Sequence, residues 1–320
     1  MYIIETFKKK GGMKLLGNFW RTGTFLYAIR QILLTGPSKA SLEIVSLGQS
    51  FFIQKKLRKR YNSVLERFDK EWSANCSTTI EGIPSKYVFV SWMQGIENAP
   101  DIVKRCYRSL VKNIKGKEIV LITSENLNEW TSLPEYILDK YKKGIITHTH
   151  FSDILRVELL TRHGGTWIDS TVFCSGGNIP KYMMDSELFM FQKLKPGADG
   201  DVVTVSSWFI TGQKNNKILM ATKELLWTYW QKENSLYDYF LVHHFIMIAK
   251  AFYPDDWQKM VQYPNSMPHI LLLMLFEEFN QEKWDAVTNV CPFHKLAYKR
   301  SKEEMEKKGT YYEFIISKLK

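Results

Sequence analysis

The sequence predicts an α/β fold in which a basic helical segment precedes a sheet flanked by helices. The first observation is an apolar run at Tyr87–Ser91, followed by apolar residues at helical spacing over 99–114 and a second apolar run, KEIVLIT, at 117–123. Strand, helix and strand within about forty residues are typical of a βαβ unit, which builds a parallel sheet with a ligand crevice at the strands' carboxyl ends. The second observation is a content of 45% hydrophobic and 14% aromatic residues, which suits a large buried core.

The third observation is an uneven charge. Residues 1–70 contain 14 Lys and Arg against 4 Asp and Glu, whereas the other 250 residues contain 30 against 29. The main body is therefore nearly neutral, which argues against a basic groove through the fold and against a nucleic-acid enzyme.

Later segments continue the alternation of strands and helices. Apolar runs at TWI (166–168), ELFMFQ (187–192) and VVTVSSWFIT (202–211) predict strands, and TVF (171–173) is read as a continuation of the first of these. Helices are expected over about 215–232 and 236–251. The four scattered cysteines lack CxxC spacing, so we expect a reducing compartment and no disulfide framework.

The basic N-terminal segment mixes Lys and Arg with aromatic residues, in MKLLGNFWRTGTFLYAIRQILL and again in FFIQKKLRKRYNSVLERF. One interpretation is a set of amphipathic helices that lie on an anionic membrane surface. The other is a helical extension that packs on the body and exposes a charged face. Because no stretch reaches the roughly 18–20 apolar residues of a membrane span and no signal peptide is evident, we expect a cytoplasmic protein, peripheral on the inner face of the membrane. Residues 1–78 are assigned to the extension and 79–320 to the main domain.

The stretch FSDILRVELLTRHGGTWIDSTVFC, residues 151–174, concentrates the candidate chemistry. Asp153 and Arg156 are three residues apart and share a helix face. Gly164 predicts the end of that helix, and the short strand TWI places Asp169 at its end. An isolated Asp–Arg pair is usually a surface ion pair, but strand ends are where open α/β sheets bind ligands.

This stretch closely resembles glycosyltransferases of the capsular polysaccharide synthesis type, related to glycosyltransferase family 32. Their acidic helix and following motif read (S/A)DxxRxxxLxxxGGxxxD, which SDILRVELLTRHGGTWID matches. Upstream, IPSKYVFVSWMQG is similar to the family's opening strand and W-x-x-G loop, and SSWFITGQKNNKIL and CPFHKLAYK are weaker matches further on. The resemblance covers about residues 80–300. It implies a GT-A-type, Rossmann-like mixed sheet that binds a nucleotide-sugar at its carboxyl edge.

The resemblance also implies the roles of individual residues. Asp169, Asp153 and Arg156 would be the catalytic group. The implied binding residues for the nucleotide-sugar are Trp92, Gln94, Gly95, Asp153, Arg156, Gly165, His294 and Lys295. Trp92 could equally be a packing residue, and His294 and Lys295 could belong to an ordinary basic loop. Trp208 is a candidate for the acceptor side, although buried packing is the more usual role of such a residue.

A divalent cation is expected to neutralise the diphosphate leaving group, with Mn²⁺ or Mg²⁺ held by Asp169 and Thr171. The usual D-x-D motif supplies two carboxylates, whereas this chain reads Asp169-Ser170-Thr171. A hydroxyl in place of the second carboxylate predicts weaker metal binding. His243 and His244 lie in an apolar helical stretch, where a satisfied core residue is more common than a ligand.

The favoured function is transfer of a sugar from a nucleotide-sugar, expected to be UDP-linked, to a polyprenyl-diphosphate-linked saccharide, with retention of configuration. The anionic membrane surface would be a further partner through residues 1–70, and no nucleic acid is expected to bind. The alternative is a non-catalytic scaffold of a polysaccharide assembly complex at the membrane surface, derived from a transferase with an impaired metal site.

Overall fold

The computed structural model describes residues 13–36, 38–75, 85–194 and 202–318. Three helices come first: α1 (Met13–Thr22), α2 (Phe25–Thr35) and the long α3 (Lys39–Asn75). The boundary predicted between residues 78 and 79 lies outside the described residues. None of the helices within the described ranges is both long enough and apolar enough to cross a membrane.

The main body alternates strands and helices, as the α/β prediction requires. Its strands are β1 (Tyr87–Ser91), β2 (Glu118–Ile122), β3 (Gly165–Ile168), β4 (Val172–Cys174), β5 (Leu188–Gln192), β6 (Val205–Gly212) and β7 (Phe293–Lys295). Its α-helices are α4 (Asp101–Asn113), α5 (Leu127–Trp130), α6 (Glu135–Lys142), α7 (His148–His163), α8 (Lys181–Met184), α9 (Lys217–Lys232), α10 (Leu241–Phe252), α11 (Pro254–Gln258), α12 (Ile270–Leu273), α13 (Gln281–Val290), α14 (Lys302–Glu306) and α15 (Tyr311–Glu313). Short 3₁₀ turns at Ile96–Asn98 and Met267–His269 and a π turn at Phe314–Lys318 are the remaining elements of the described ranges.

Five strands form a mixed central sheet in the order β2-β1-β3-β6-β5. Strand β1 is parallel to both β2 and β3, so the predicted βαβ unit β1–α4–β2 is confirmed. Strands β5 and β6 run antiparallel to their neighbours. The mixed sheet flanked by helices is therefore also confirmed.

Strand β4 corrects one expectation. The TVF segment does not extend β3; it pairs antiparallel with β7 in a separate two-stranded sheet. The turn at Asp169–Thr171 separates the two strands, and the N–H of Val172 donates to the carbonyl of Asp169 at 2.9 Å. Asp169 therefore lies at a junction between the two sheets.

Side chains alternate along the central strands and divide the core into two layers. Phe89 and Trp167 pack with helices α7, α9 and α10 on one face, whereas Val88, Val90 and Ile168 pack with α4 and the β4–β7 pair on the other. Burial on both faces explains the continuous apolar runs that predicted these strands.

Helix α3 belongs to the first of these layers. Its buried side chains recur at helical spacing and contact α9 and α10: Ile53, Leu57, Tyr61, Val64, Leu65 and Phe68. Ion pairs from Arg60 to Glu233 and from Arg67 to Glu224 flank this contact. The second half of the basic segment thus packs on the body, as one of the two interpretations expected.

The double glycine connects α7 to β3 through close backbone approach. Gly164 has φ +67°, and its N–H donates to the Leu160 carbonyl at 2.9 Å. A Cβ on Gly165 (φ +120°) would lie 2.4 Å from the carbonyl oxygen of Tyr87. Glycine is therefore required here so that β3 can enter the sheet directly beside the start of β1.

Candidate functional site: a buried charge cluster at the carboxyl edge of the sheet

Asp169 follows the last residue of β3 and is held in the sheet by its backbone. Its N–H donates to the carbonyl oxygen of Trp208 on β6 at 2.8 Å. One carboxylate oxygen, Oδ1, accepts from Trp167 Nε1 at 2.9 Å. The side chain remains about one-quarter exposed (24%), so it is fixed in position and still reachable from outside.

Arg156 is the centre of the cluster, and its side chain is only 5% exposed. Its guanidinium lies 3.1 Å from Asp153 Oδ1 and 3.3 Å from Asp169 Oδ1. It also donates to the backbone carbonyl of Ser207 at 2.7 Å and to the Ser207 hydroxyl. A planar fork with five donors suits this task, because one side chain can serve two carboxylates and a carbonyl together.

Asp153 connects the cluster to a second set of buried groups. Its Oδ2 lies 3.3 Å from Nδ1 of His150, and Trp230 Nε1 donates to His150 Nε2 at 3.0 Å. Because Nε2 accepts, the proton of a neutral ring is on Nδ1, which lies near Asp153 but forms no hydrogen bond within the described residues. Asp153 and His150 are both buried, so this part of the cluster is a rigid support.

Lys295 approaches from β7, which lies 126 residues further along the chain than Asp169. Its Nζ donates to Asp169 Oδ2 at 2.8 Å and to the Thr171 hydroxyl at 2.6 Å. The register of β4 with β7 places Lys295 opposite Val172, and the Leu296 N–H donates to the Thr171 carbonyl at 2.9 Å. Strand pairing therefore brings the lysine to the turn.

The pKa of Asp169 reflects these contacts. Burial alone would raise it, but the positive charges of Lys295 and Arg156 and the hydrogen bonds from Lys295 and Trp167 lower the pKa below its ordinary value. Asp169 is thus an ionised carboxylate at neutral pH, suited to accept hydrogen bonds and to stabilise positive charge. It is not suited to act as a general acid.

The predicted nucleotide loop lies at the same edge of the sheet. Trp92, Gln94 and Gly95 directly follow β1, and β1 runs parallel to β3, so the loop and Asp169 both follow strand carboxyl ends. Gly95 has φ +79° with open space where a Cβ would stand, and Gln94 is exposed. The indole of Trp92 packs edge-on against Tyr298 at 5.6 Å between ring centroids, and its buried Nε1 has no hydrogen-bond partner in the described part of the chain.

Two of the predicted binding residues are placed elsewhere. Gly165 begins β3, so it lies at the opposite edge of the sheet from Asp169, about 13 Å away at the usual rise per strand residue. Its role is the backbone contact with Tyr87. His294 is fully buried beside Phe173, and burial lowers its pKa to about 3. Adjacent strand residues point to opposite faces, and Lys295 alone of the pair contacts the cluster.

Trp208 is also a packing residue. It is 6% exposed, stacks on Phe191 at 4.6 Å between centroids, and donates from Nε1 to Asn265 at 3.0 Å. Of the other two histidines considered, His244 is fully buried, with Nε2 3.3 Å from Asp238. The complete burial of His244 agrees with a core position, and neither of its ring nitrogens forms a hydrogen bond within the described residues.

The start of α10 and the segment before it bring two more groups, His243 and Tyr239, near the site; sequence reasoning weighed His243 as a core residue or a ligand and did not consider Tyr239. Burial lowers the pKa of His243 to about 4, and the charges of Asp153 and Arg156 also act on it. Burial and the negative charges of Asp153 and Asp169 raise the pKa of Tyr239, which is 61% exposed. A helix was expected from residue 236, but Asp238 accepts from the N–H of Phe240 at 2.8 Å and delays its start to Leu241. The resulting loop brings Tyr239 near the acidic residues.

The donor set at the predicted metal site does not fit a divalent cation as it stands. Among the residues that the structure describes, no three His, Cys, Asp or Glu side chains are grouped to hold a metal. Both oxygens of Asp169 and the hydroxyl of Thr171 already accept from cationic or N–H donors. Mg²⁺ and Mn²⁺ need oxygens that are free to coordinate.

An open mixed sheet flanked by helices, with a cluster of two carboxylates and two cations at its carboxyl edge, defines an α/β protein. A family model described as capsular polysaccharide synthesis protein matches residues 38–315. The chain therefore belongs to the capsular polysaccharide synthesis protein family.

Two further comparisons were made. Among curated proteins, no relative was found. A solved structure described as PaToxG glycosyltransferase is similar at 17% sequence identity with a TM-score of 0.36, covering 82% of this chain and 96% of that chain.

Proposed function

We propose that the protein is a glycosyltransferase with a GT-A-type domain that transfers a sugar from a nucleotide-sugar, UDP-linked, to a lipid-linked saccharide in capsular or other surface polysaccharide synthesis. The observation that carries the proposal is the Asp153–Arg156–Asp169 network at the carboxyl edge of the sheet, in a member of this family. Open α/β sheets bind ligands at this edge. The loop after β1 supplies an aromatic ring, Trp92, for the base.

In this proposal the residues orient the donor and balance charge rather than transfer protons. Asp153 and Arg156 organise the nucleotide-sugar site by holding Asp169 in place, and Lys295 faces the negative charge that develops on the departing diphosphate. Retention would follow a front-face route in which the departing phosphate takes the acceptor's proton. The lowered pKa of Asp169 agrees with an electrostatic role, because this carboxylate stays ionised.

The same proposal places the enzyme at the cytoplasmic face of the membrane, through an N-terminal apolar surface on α1–α3. Its exposed side chains are Trp20, Leu26, Ile29, Leu33, Leu34, Ile44, Leu47, Phe51 and Phe52. Arg30, Lys55, Arg58 and Lys59 on the same helices are also exposed. Apolar side chains bordered by Lys and Arg match the chemistry of an anionic lipid surface, which would also present a polyprenyl-diphosphate-linked acceptor.

The membrane proposal is tested by co-sedimentation with vesicles containing anionic lipid. The double variant Leu33→Glu/Leu34→Glu should lose binding, because two charges enter the apolar surface. Leu273→Glu is the matched control, since Leu273 is as exposed (81%) but belongs to α12. Equal binding by all three proteins would refute this surface.

Transfer is tested by incubating the purified protein with UDP-, GDP- and TDP-sugars, with and without Mn²⁺, and measuring nucleotide release. We expect release from one donor, abolished in Asp169→Asn and kept in Asp185→Asn, whose carboxylate pairs with Lys117 away from the site. If the folded protein neither binds nor cleaves any donor, the scaffold alternative is favoured. Donor binding without release would show that the reaction needs its acceptor.

A further inference from the structure

The Lys295 ammonium lies between the two groups from which a metal site was expected. Its Nζ is 2.8 Å from Asp169 Oδ2 and 2.6 Å from Thr171 Oγ1. These are hydrogen-bond lengths for an ammonium with oxygen acceptors. A divalent cation that used the same two oxygens would have to take the place of the ammonium group.

Backbone contacts fix this arrangement. Antiparallel pairing sets Lys295 opposite Val172, and the N–H of Leu296 donates to the Thr171 carbonyl. The N–H of Asp169 is bound to β6 through Trp208. The backbone positions of the lysine and of its two acceptors are therefore fixed by hydrogen bonds and pairing that involve β4, β6 and β7.

Thr171 is the residue that makes this arrangement neutral. Asp153 and Asp169 balance Arg156 and Lys295, whereas a second motif carboxylate at position 171 would leave one excess negative charge beside the lysine. A divalent cation added beside Lys295 and Arg156 would meet two positive charges within the same cluster. The hydroxyl of Thr171 thus suits an ammonium ion better than it suits a metal ion.

We infer that Lys295 is the built-in cation of this site, that it binds the diphosphate of the donor in place of a divalent metal, and that donor binding is metal-independent. The inference rests on the proposed function and deepens it. An ammonium group has three N–H donors, and Asp169 and Thr171 take two of them. No third acceptor contacts it among the residues that the structure describes, so one N–H remains for a phosphate oxygen, and the side chain is 20% exposed. Lysine binds phosphate as a point charge in other proteins.

The first experiment needs no nucleotide-sugar. Mn²⁺ alone is titrated into the full-length protein, and free Mn²⁺ is measured by electron paramagnetic resonance. The wild type should bind no Mn²⁺ at this site, whereas Lys295→Met/Thr171→Asp should bind it, because that variant frees Asp169 and restores a second carboxylate. Lys302→Met, at a surface lysine that is 85% exposed, is the control and should behave as the wild type. Binding of one Mn²⁺ by the wild type that Asp169→Asn abolishes would overturn the inference.

The second experiment measures binding of the UDP-sugar panel in Mn²⁺ and in EDTA. Wild-type affinity should be the same in both, and Lys295→Met should weaken it at least tenfold. Lys295→Arg should recover part of the loss if charge is what matters. A wild-type affinity that falls in EDTA, or a Lys295→Met variant that is folded by circular dichroism and binds normally, would refute the assigned role. If no donor binds the wild type, the proposed function fails, while the Mn²⁺ titration still decides whether Lys295 excludes metal.

Discussion

Removal of the Arg156 guanidinium should destabilise the protein more than removal of any exposed arginine. Its side chain is 5% exposed and neutralises both Asp153, which is 8% exposed, and Asp169. In Arg156→Met, Asp153 loses its cationic partner while it stays buried. Breaking a buried pair by removing one partner costs about 3–5 kcal/mol, because an uncompensated charge remains.

The chain offers a matched control on the same helix. Arg162 lies near the end of α7, is 46% exposed and is 4.0 Å from Glu158. An ion pair of this kind contributes less than about 1 kcal/mol. Arg162→Met should therefore leave the free energy of unfolding nearly unchanged, although it removes the same charge and a similar volume.

Urea unfolding, followed by tryptophan fluorescence and by far-ultraviolet circular dichroism, measures both variants. Coincident transitions are required before free energies are compared, since chains of this size often unfold in more than one step. The double variant Asp153→Asn/Arg156→Met should be more stable than Arg156→Met, because the orphaned charge is also removed. A loss below about 1 kcal/mol in Arg156→Met, or strict additivity in the double variant, would refute the reasoning.

Two further predictions concern pH and backbone packing. Burial lowers the pKa of His243 to about 4 and of His294 to about 3 from an ordinary 6.5, and it also lowers the pKa of His269, so the unfolded chain binds more protons than the folded chain between pH 6.5 and 5. The free energy of unfolding should therefore fall by about 1.6 kcal/mol for each of His243 and His294 over that range. His294→Gln should remove one such contribution, which urea unfolding at several pH values would detect as a shallower pH dependence than that of the wild type. Gly165→Ala should lower the free energy of unfolding by clearly more than the about 1–2 kcal/mol expected of Gly116→Ala. Both glycines have positive φ, but only at Gly165 would the added Cβ collide with backbone atoms. Equal melting temperatures of the two variants would contradict this prediction.

Local sequence patterns predicted the first half of the site. Asp153 and Arg156 share a helix face because the helical period places them there, and Asp169 follows β3 because a short apolar run ends at Ile168. Both relations depend on residues close together in sequence. The spacing of these residues along the chain was therefore enough to predict both relations.

The packing of α3 was also readable from the sequence. Ile53, Leu57, Tyr61 and Leu65 recur every four residues within the basic segment, which is the pattern of one buried helix face. The Lys and Arg residues between these positions are exposed and occupy the other, solvated face of the same helix.

Other relations depend on distant strands and could not be read locally. The contact between Lys295 and Thr171 requires the register of β4 with β7, which joins residues more than 120 positions apart. The loop that carries Tyr239 forms because Asp238 caps it and delays α10. The glycine motif predicted the turn after α7 correctly, but only the position of Tyr87 shows that Gly165 serves packing rather than a ligand.

The chain contains two separate electrostatic features: short-range ion pairs in the charge cluster and an excess of positive charge in the N-terminal helices. The cluster of two carboxylates and two cations is neutral and works through contacts of about 3 Å, which dissolved salt screens weakly because the groups are largely buried. The excess positive charge lies in residues 1–70 and is exposed at Arg30, Lys55, Arg58 and Lys59, where screening is strong. Since the neutral cluster attracts no anion over a distance, the N-terminal helices are the part of the described chain that would attract the anionic membrane surface proposed as a partner. Raising the salt concentration should therefore release the protein from anionic vesicles while leaving the short contacts of the cluster, and the stability that depends on Arg156, nearly unchanged.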